Sequence, residues 1–363
     1  MPEATLAAAR RRRTAMTHIL IAGDRFVTPA LFRAALERRL GGEARYTDWE
    51  LPWPDEPFGS VAGVEEASGT PEETIEHLGD AEIAVTQMAP FTAEVFGARP
   101  GLRLVGVCRG GPVNVDLAAA TEAGVVVTFA PGRNAQAAAE YAVALMLTAS
   151  RRIADADHEL RNGVWRGDYY ALDAVGTELG AATVGLVGYG AIGRIVARIL
   201  IAFGAEVVAS DPYADPDALA ADGVRAVPLD ELLASSDIVS LHARLTPETR
   251  HLLDAAALER MKPGAVLVNS ARGGLLDYAP LPGLLRSGRL GALALDVYDL
   301  EPPPPDWPLL TAPNVVLSPH LAGATRQTAE RAAAIVADDV ALFAAGQRPA
   351  HVANPEVLER VGA

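Results

Sequence analysis

The chain has 363 residues, of which 31 are basic and 46 acidic, and its formal charge is −15. This length predicts two domains, and a hydrophobic share of 50% excludes a disordered protein. The acidic balance argues against nucleic acid or an anionic membrane as a partner, and no apolar run reaches the ~18 residues of a membrane span. The lone cysteine, Cys108, excludes intrachain disulfides and multi-cysteine zinc sites. We therefore expect a cytoplasmic protein without a metal.

The first 16 residues differ from the rest of the chain. A basic run at 10–13 precedes Met16, which opens a typical first strand. These residues lack the apolar segment of a signal peptide. We expect a disordered tail, with a targeting arm or a true start at Met16 as the alternatives.

From residue 18 onward, short apolar runs alternate with helical patterns. The runs predict strands at 18–22, 82–86, 102–107 and 124–129. Helices are expected over 32–40 and 135–152, and a surface loop over the Pro-, Glu- and Gly-rich residues 49–73. The apolar stripe of the second helix indicates either a core face or a subunit contact.

After residue 183 the alternation becomes regular. Strands are predicted at 183–187, 205–210, 237–242, 265–270, 292–297 and 314–318. Near-continuous apolar strands separated by helices indicate a parallel sheet that is covered on both faces.

A glycine-rich turn, residues 188–193 (GYGAIG), follows one of these strands and opens an amphipathic helix. This context predicts a dinucleotide-binding turn. Gly188 would permit the tight turn, Gly190 would let the backbone approach a pyrophosphate, and Gly193 would let the helix pack on the strand. The helix N-terminus offers free N–H groups to the phosphates. A glycine turn without a ligand is the alternative.

Asp211 ends the next strand, close to where a ribose-binding acid is expected. Its carboxylate suits the hydroxyls of the adenosine ribose and would repel a 2′-phosphate. The sequence therefore predicts NAD, with NADP less favoured because of Asp211.

Arg272, Glu301 and His320 each lie at or just beyond the end of a predicted strand. Open parallel sheets bind ligands at the carboxyl ends of their strands. Each residue alone has an ordinary explanation as a surface or structural side chain. Their joint placement indicates a catalytic site.

Four segments carry a family resemblance: residues 185–193 (GLVGYGAIG), 262–274 (KPGAVLVNSARGG), 294–298 (ALDVY) with Glu301-Pro302, and 318–323 (SPHLAG). The chain resembles the D-isomer-specific 2-hydroxyacid dehydrogenases, which include phosphoglycerate dehydrogenase and the glyoxylate/hydroxypyruvate reductases. The resemblance implies an α/β fold of two Rossmann-like or flavodoxin-like domains with parallel sheets and an active-site cleft between them. Residues 17–135 with 324–363 would bind substrate and residues 136–323 would bind NAD. No regulatory module is expected after them.

By this resemblance, Arg272, Glu301 and His320 match the catalytic residues of the family. Arg272 would grip the substrate carboxylate and polarise the 2-oxo group. His320 would exchange the hydroxyl proton, and Glu301 would orient its imidazole. The implied reaction moves a hydride between nicotinamide C4 and C2 of a D-2-hydroxy acid or 2-keto acid.

The resemblance also implies the cofactor contacts. Asp296 would contact the nicotinamide amide, while His242 and Pro247 would line the adenine side; structural roles stay open for all three. The other predicted contacts are Gly188, Tyr189, Gly190, Ala191, Ile192, Gly193, Asp211, Ala271 and Gly323.

Residues 105–116 (VGVCRGGPVNVD) align with the family's glycine-rich carboxylate loop, which implies that Arg109, Gly110 and Gly111 bind substrate. Arg109 departs from the common pattern. It would bind a second anionic or hydroxylated group, or else lie on the surface or pair with an acid such as Glu140. Cys108 is expected to be half-buried and inert. The aromatic loop 165–170 (WRGDYY) is expected at the same cleft, where it favours a polyhydroxylated acid.

Two other functions compete with an NAD-dependent dehydrogenase. One is an NAD(H)-sensing, corepressor-like binding protein, which the short tails disfavour. The other is a different NAD enzyme on this scaffold, of the phosphite or S-adenosylhomocysteine type, which the intact catalytic triplet disfavours. The family resemblance also implies a homodimer.

Overall fold

The computed structural model describes residues 16–53 and 57–361, so the predicted tail lies almost wholly outside the described residues. The chain divides into two compact units. The first unit combines the chain before residue 135 with the chain after residue 323, and the second unit is Ala135–Gly323. Both units are built from parallel strands and helices, which confirms the predicted α/β class. Among the described residues, no helix is long and apolar enough to cross a membrane.

In chain order the strands are β1 (Thr17–Gly23), β2 (Ala44–Glu50), β3 (Ile83–Thr86), β4 (Leu104–Val107), β5 (Val126–Phe129), β6 (Thr183–Val187), β7 (Glu206–Ser210), β8 (Arg225–Ala226), β9 (Ile238–Leu241), β10 (Ala265–Asn269), β11 (Leu290–Leu295) and β12 (Val315–Leu317). The α-helices are α1 (Pro29–Leu40), α2 (Pro71–Leu78), α3 (Ala93–Ala98), α4 (Leu117–Glu122), α5 (Ala135–Ser150), α6 (Ile153–Arg161), α7 (Ala191–Ala202), α8 (Pro216–Ala221), α9 (Leu229–Ser235), α10 (Ala255–Arg260), α11 (Leu281–Arg286), α12 (Arg326–Ala344) and α13 (Glu356–Val361).

The first unit holds a five-stranded parallel sheet in the order β2-β1-β3-β4-β5. Helices cover both faces. Phe32 of α1 and Val336 of α12 are buried on one face, whereas Leu78 of α2 and Phe96 of α3 are buried on the other. Helix α12, which comes late in the chain, thereby completes the core of a unit that begins at residue 17.

The predicted loop over 49–73 is wrong at both ends, because it overlaps β2 and α2. In β2 only Trp49 is buried, so the strand shows no clear apolar alternation. The strand exists because each of its residues pairs with β1, and tertiary pairing of this kind overrides local pattern. Helix α2 begins with a capping box between Thr70 and Glu73, a signal that the sequence did contain.

The second unit holds a seven-stranded parallel sheet in the order β12-β11-β10-β9-β6-β7-β8. All six predicted strands of this region are present, and the missed strand, β8, is only two residues long. Helix α5 ends at Ser150, two residues before the predicted end. Ala142, Leu145 and Ala149 of its apolar stripe are buried in the core of this unit, so the stripe is a core face.

Candidate active site

The glycine-rich turn lies between β6 and α7, at the carboxyl edge of the second sheet. Gly188 has φ +99°, and a Cβ there would lie 2.6 Å from the backbone nitrogen of Ala243. A Cβ on Gly193 would lie 2.5 Å from the carbonyl oxygen of Gly188. At Gly190, by contrast, a Cβ would meet no atom within 4 Å, so the backbone is open to an approaching group. The turn and the free N–H groups of α7 therefore fit a dinucleotide pyrophosphate.

Asp211 follows β7 and lies against this turn. Its Oδ2 accepts a hydrogen bond from the backbone nitrogen of Tyr189 at 2.7 Å, and its Oδ1 accepts one from Tyr213 at 2.9 Å. The side chain of Tyr189 points into the core and donates to Asp222 at 3.0 Å. The Tyr189 side chain is therefore occupied within the protein, whereas its neighbours Ala191 and Ile192 begin α7 and are at least partly exposed.

His242 follows β9 and packs beside the glycine turn, where its Cβ lies 3.9 Å from a Cβ position at Gly193. Burial lowers the pKa of His242 to about 4, so its imidazole is neutral at physiological pH. Its Nε2 has no hydrogen-bond partner among the described residues. Pro247 lies on an exposed loop after the same strand.

Arg272 follows β10 on a loop that Asn269 holds in place. The Asn269 side chain donates to the Arg272 carbonyl at 2.9 Å and accepts from the Ala271 nitrogen at 3.1 Å. The guanidinium of Arg272 is exposed, and its Nη1 donates to the Ala271 carbonyl at 2.7 Å. A Cβ on Gly273 would lie 1.9 Å from the carbonyl oxygen of Tyr298, so this loop packs directly on the segment that leads to Glu301.

Glu301 and His320 are joined by a hydrogen bond of 2.8 Å between Oε2 and Nδ1. Because the carboxylate only accepts, Nδ1 carries the proton and Nε2 is left for other partners. This hydrogen bond raises the pKa of His320, against the effect of burial. Burial acts to raise the pKa of Glu301, but His320, the Tyr298 backbone and Arg272 outweigh it and lower that pKa overall.

Asp296 is fully buried and organises the segment that carries His320. Its Oδ1 accepts from Ser318 Oγ at 2.7 Å and from the Leu321 nitrogen at 2.8 Å. Its Oδ2 accepts from the Ala322 nitrogen at 2.8 Å, just before Gly323. His320 itself has φ +54°, a conformation that non-glycine residues adopt rarely and mostly where the surrounding bonds enforce it. The predicted contact of Asp296 with a nicotinamide amide stays a prediction beside this structural role.

Two positioning residues were missed from the sequence. Tyr298 donates its hydroxyl to the Ser318 carbonyl at 2.9 Å and its backbone N–H to Glu301 at 3.1 Å. Asn269 holds the Arg272 loop. Tyr298 acts across loops that follow different strands, so no local pattern marks it, whereas Asn269 bonds within its own segment to the residues that follow it.

The predicted substrate loop lies in the first unit, after β4. Arg109 pairs with Glu66 and not with Glu140, and its Nη1 lies 2.8 Å from the sulfur of Met88. A Cβ on Gly110 or Gly111 would meet nothing within 4 Å, so this backbone is open.

Cys108, expected to be half-buried, is fully buried, which corrects that prediction. Burial raises the pKa of its thiol to about 12 and keeps it protonated. Within the described residues, no group of three or more His, Cys, Asp or Glu side chains could hold a metal ion.

The aromatic loop at 165–170 includes a short 3₁₀ helix, Gly167–Tyr170. Trp165 and Tyr170 are strongly exposed, and Arg166 pairs with Glu159 and Asp168. The predicted role of this loop in substrate binding stays a prediction.

Comparison with known proteins extends these observations. A D-3-phosphoglycerate dehydrogenase of Mycobacterium leprae (strain TN) is 45% identical over 265 residues, which cover 73% of this chain and 49% of that protein. A glyoxylate reductase of Korarchaeum cryptofilum (strain OPF8) is 39% identical over 296 residues, which cover 81% of this chain and 89% of that protein. The chain thus spans about half the length of the first relative and most of the second.

Solved structures agree with these relatives. The structure described as the pyruvate reductase of Chlamydomonas reinhardtii is 30% identical and superposes with a TM-score of 0.72, over 93% of this chain and 99% of that one. Residues 143–322 match the family described as D-isomer specific 2-hydroxyacid dehydrogenase, NAD binding domain. The chain therefore belongs to the family of D-isomer specific 2-hydroxyacid dehydrogenases.

Proposed function

We propose that this protein is an NAD-dependent 2-hydroxyacid dehydrogenase that works as a 2-keto acid reductase. The observation that carries the proposal is the hydrogen bond between Glu301 and His320, with Arg272 on the adjoining loop. A carboxylate, an imidazole with a raised pKa and a planar cation are the groups that this reaction needs.

Each side chain has a distinct task in the proposed reduction. Bound nicotinamide would supply the hydride that reaches C2 of the keto acid. Arg272 would bind the carboxylate with its fork of donors and polarise the 2-oxo group. His320 would donate the proton from Nε2 to the carbonyl oxygen, because its Nδ1 is bound to Glu301. Glu301 would hold that tautomer and stabilise the protonated imidazole.

We assign NAD rather than NADP as the cofactor. The Asp211 carboxylate lies beside the glycine turn, where it would accept hydrogen bonds from the ribose hydroxyls. A 2′-phosphate at that point would meet a negative charge. Further expected cofactor contacts are His242, Pro247, Ala271, Asp296 and Gly323.

We further propose that the substrate carboxylate also meets the open backbone of Gly110 and Gly111, and that the active protein is a homodimer. Helix α7 supports the second proposal, since Ile201 and Phe203 at its end are exposed apolar side chains. Size-exclusion chromatography with light scattering would report the mass in solution, and a monomer at working concentration would exclude the dimer.

The decisive experiment is NADH consumption by the purified protein against glyoxylate, pyruvate, hydroxypyruvate, phosphohydroxypyruvate and longer sugar-derived 2-keto acids. We expect turnover of at least one acid, and its loss in Arg272→Ala. Arg225→Ala is the matched control, because Arg225 is an exposed arginine of the same unit that pairs with Glu206 and Glu231. Binding of NADH without turnover of any acid would contradict the proposal and favour an NAD(H)-sensing protein.

A further inference from the structure

Tyr298 contacts all three segments that carry the proposed reacting side chains. Its backbone N–H donates to Oε1 of Glu301 at 3.1 Å, and its hydroxyl donates to the Ser318 carbonyl at 2.9 Å. Its own carbonyl oxygen packs on Gly273, next to Arg272, so closely that a Cβ on Gly273 has no room. One residue of the second unit therefore ties together the segments that follow β10, β11 and β12.

The hydroxyl of Tyr298 is bonded to the same oxygen as the backbone of His320. The Ser318 carbonyl accepts from the His320 N–H at 3.0 Å, so the two donors share one acceptor. Asp296 holds other atoms of this segment, Ser318 Oγ and the Leu321 nitrogen. Burial raises the pKa of Tyr298 to about 12, so its hydroxyl keeps its proton and remains a donor. Tyr298 therefore links the backbone of His320 to the carboxylate that orients its imidazole.

The ring of Tyr298 is braced by Trp307. The two rings meet edge to face, with centroids 5.5 Å apart and an interplanar angle of 79°. Trp307 also packs on the ring of Tyr278 at 5.6 Å, and the Tyr278 hydroxyl donates to the carbonyl of Val297, the residue before Tyr298, at 3.2 Å. Edge-to-face aromatic pairs attract one another beyond the area that they bury. The indole therefore holds the phenol ring in the position from which its hydroxyl reaches Ser318.

We propose that Tyr298 and Trp307 are positioning residues of the proposed dehydrogenase. Tyr298 aims Nε2 of His320 at the carbonyl oxygen of the keto acid, and Trp307 acts through Tyr298. Loss of the hydroxyl frees the Ser318 carbonyl, lets the imidazole turn and weakens its hydrogen bond to the carboxylate. Proton transfer depends steeply on this geometry, whereas binding of the substrate carboxylate by Arg272 does not use it. This inference rests on the proposed function, because it concerns the proton donor of that reaction.

The first test is Tyr298→Phe, which removes the hydroxyl and keeps the ring. In keto acid reduction we expect kcat to fall about 10-fold, while KM for the acid stays near the wild-type value. Because the hydrogen bond to Glu301 raises the pKa of His320, the falling limb of kcat/KM against pH should shift to lower pH. An NMR titration of the His320 imidazole should shift in the same direction without substrate. The control is Tyr46→Phe, the same change at a partly buried tyrosine of the first unit, which should leave kcat and both midpoints unchanged.

The second test asks whether Trp307 acts through Tyr298. Trp307→Leu should lower kcat by about 3-fold or more and move the falling limb in the same direction. Trp307→Phe keeps an aromatic ring and should restore most of kcat. In the double variant, Trp307→Leu should add little to Tyr298→Phe, because residues that act in one network have non-additive effects.

The pH midpoints do not depend on the concentration of folded protein, so they separate positioning from a general loss of stability. If Tyr298→Phe does not fold, the midpoint of Trp307→Leu decides. Midpoints and kcat that stay at the wild-type values overturn the inference and leave the proposed function standing, and additive effects in the double variant overturn the role of Trp307. If the wild-type protein reduces no 2-keto acid, the proposed function fails, and the inference fails with it.

Discussion

Nδ1 of His320 lies 2.8 Å from Oε2 of Glu301, although the two residues follow different strands of the second sheet. The other oxygen of Glu301 accepts from the Tyr298 backbone at 3.1 Å, so the carboxylate is fixed from two sides. A fixed carboxylate sets the orientation, the tautomer and the pKa of the imidazole together.

This pair predicts the pH dependence of keto acid reduction. The reaction needs protonated His320, and the pKa of His320 is raised by Glu301, so activity should be lost as pH rises through that raised pKa. Glu301→Gln removes the charge, and the falling limb of kcat/KM against pH should shift to lower pH. Oxidation of the hydroxy acid needs neutral His320, so kcat/KM for oxidation should rise as pH rises through the pKa of His320. An unchanged midpoint in Glu301→Gln would exclude this role for Glu301.

Arg272→Lys should keep the positive charge but lose the planar fork of donors. We expect kcat/KM for the best keto acid to fall by about 100-fold, since two charge-assisted hydrogen bonds become one. The control is Arg225→Lys, at an exposed ion pair of the same unit, which should leave kcat/KM unchanged. Equal activity of Arg272→Lys and wild type would show that charge alone suffices.

Asp211→Asn tests the choice of cofactor. The amide oxygen can still accept from Tyr189 or Tyr213, but the charge that would oppose a 2′-phosphate is gone. The ratio of kcat/KM with NADH to that with NADPH should fall by about 10-fold or more. Asp217→Asn, an exposed aspartate at the start of α8, should leave the ratio unchanged. A ratio that is also constant in Asp211→Asn would contradict the NAD assignment.

A pair of glycines tests the packing behind Arg272. Gly273→Ala would put a Cβ 1.9 Å from the Tyr298 carbonyl, so the loops must separate and both stability and turnover should drop. Gly283→Ala in α11 meets no atom within 4 Å and should be neutral or stabilise the protein by about 0.5–1 kcal/mol. Thermal unfolding and NADH consumption of the two variants would measure the difference. If both variants unfold at the same temperature, the close approach at Gly273 is not essential.

Much of this protein could be predicted from the sequence because its signals are local. Near-continuous Val, Ile and Leu runs predicted the strands of the second sheet, and strand, glycine turn and helix occur within one short segment at 183–202. Asp211, Arg272, Glu301 and His320 could be singled out because each follows a recognisable strand. The edge strand β2 was not predicted, since its polar sequence becomes a strand only by pairing with β1.

Only the tertiary structure decided how these residues are held and which groups remain unsatisfied. Asp296 fixes the His320 segment through hydrogen bonds to residues about 25 positions further along the chain. Asn269 fixes the Arg272 loop through hydrogen bonds across a turn. The sequence pointed to Arg109 in the substrate loop, but folding pairs it with Glu66, and among the described residues it leaves buried atoms of Asp24 and Arg133 without partners. Local sequence determines which residues end each strand. Which charged side chains pair with one another depends on the distances between them. Those distances are set only when folding places the strands side by side.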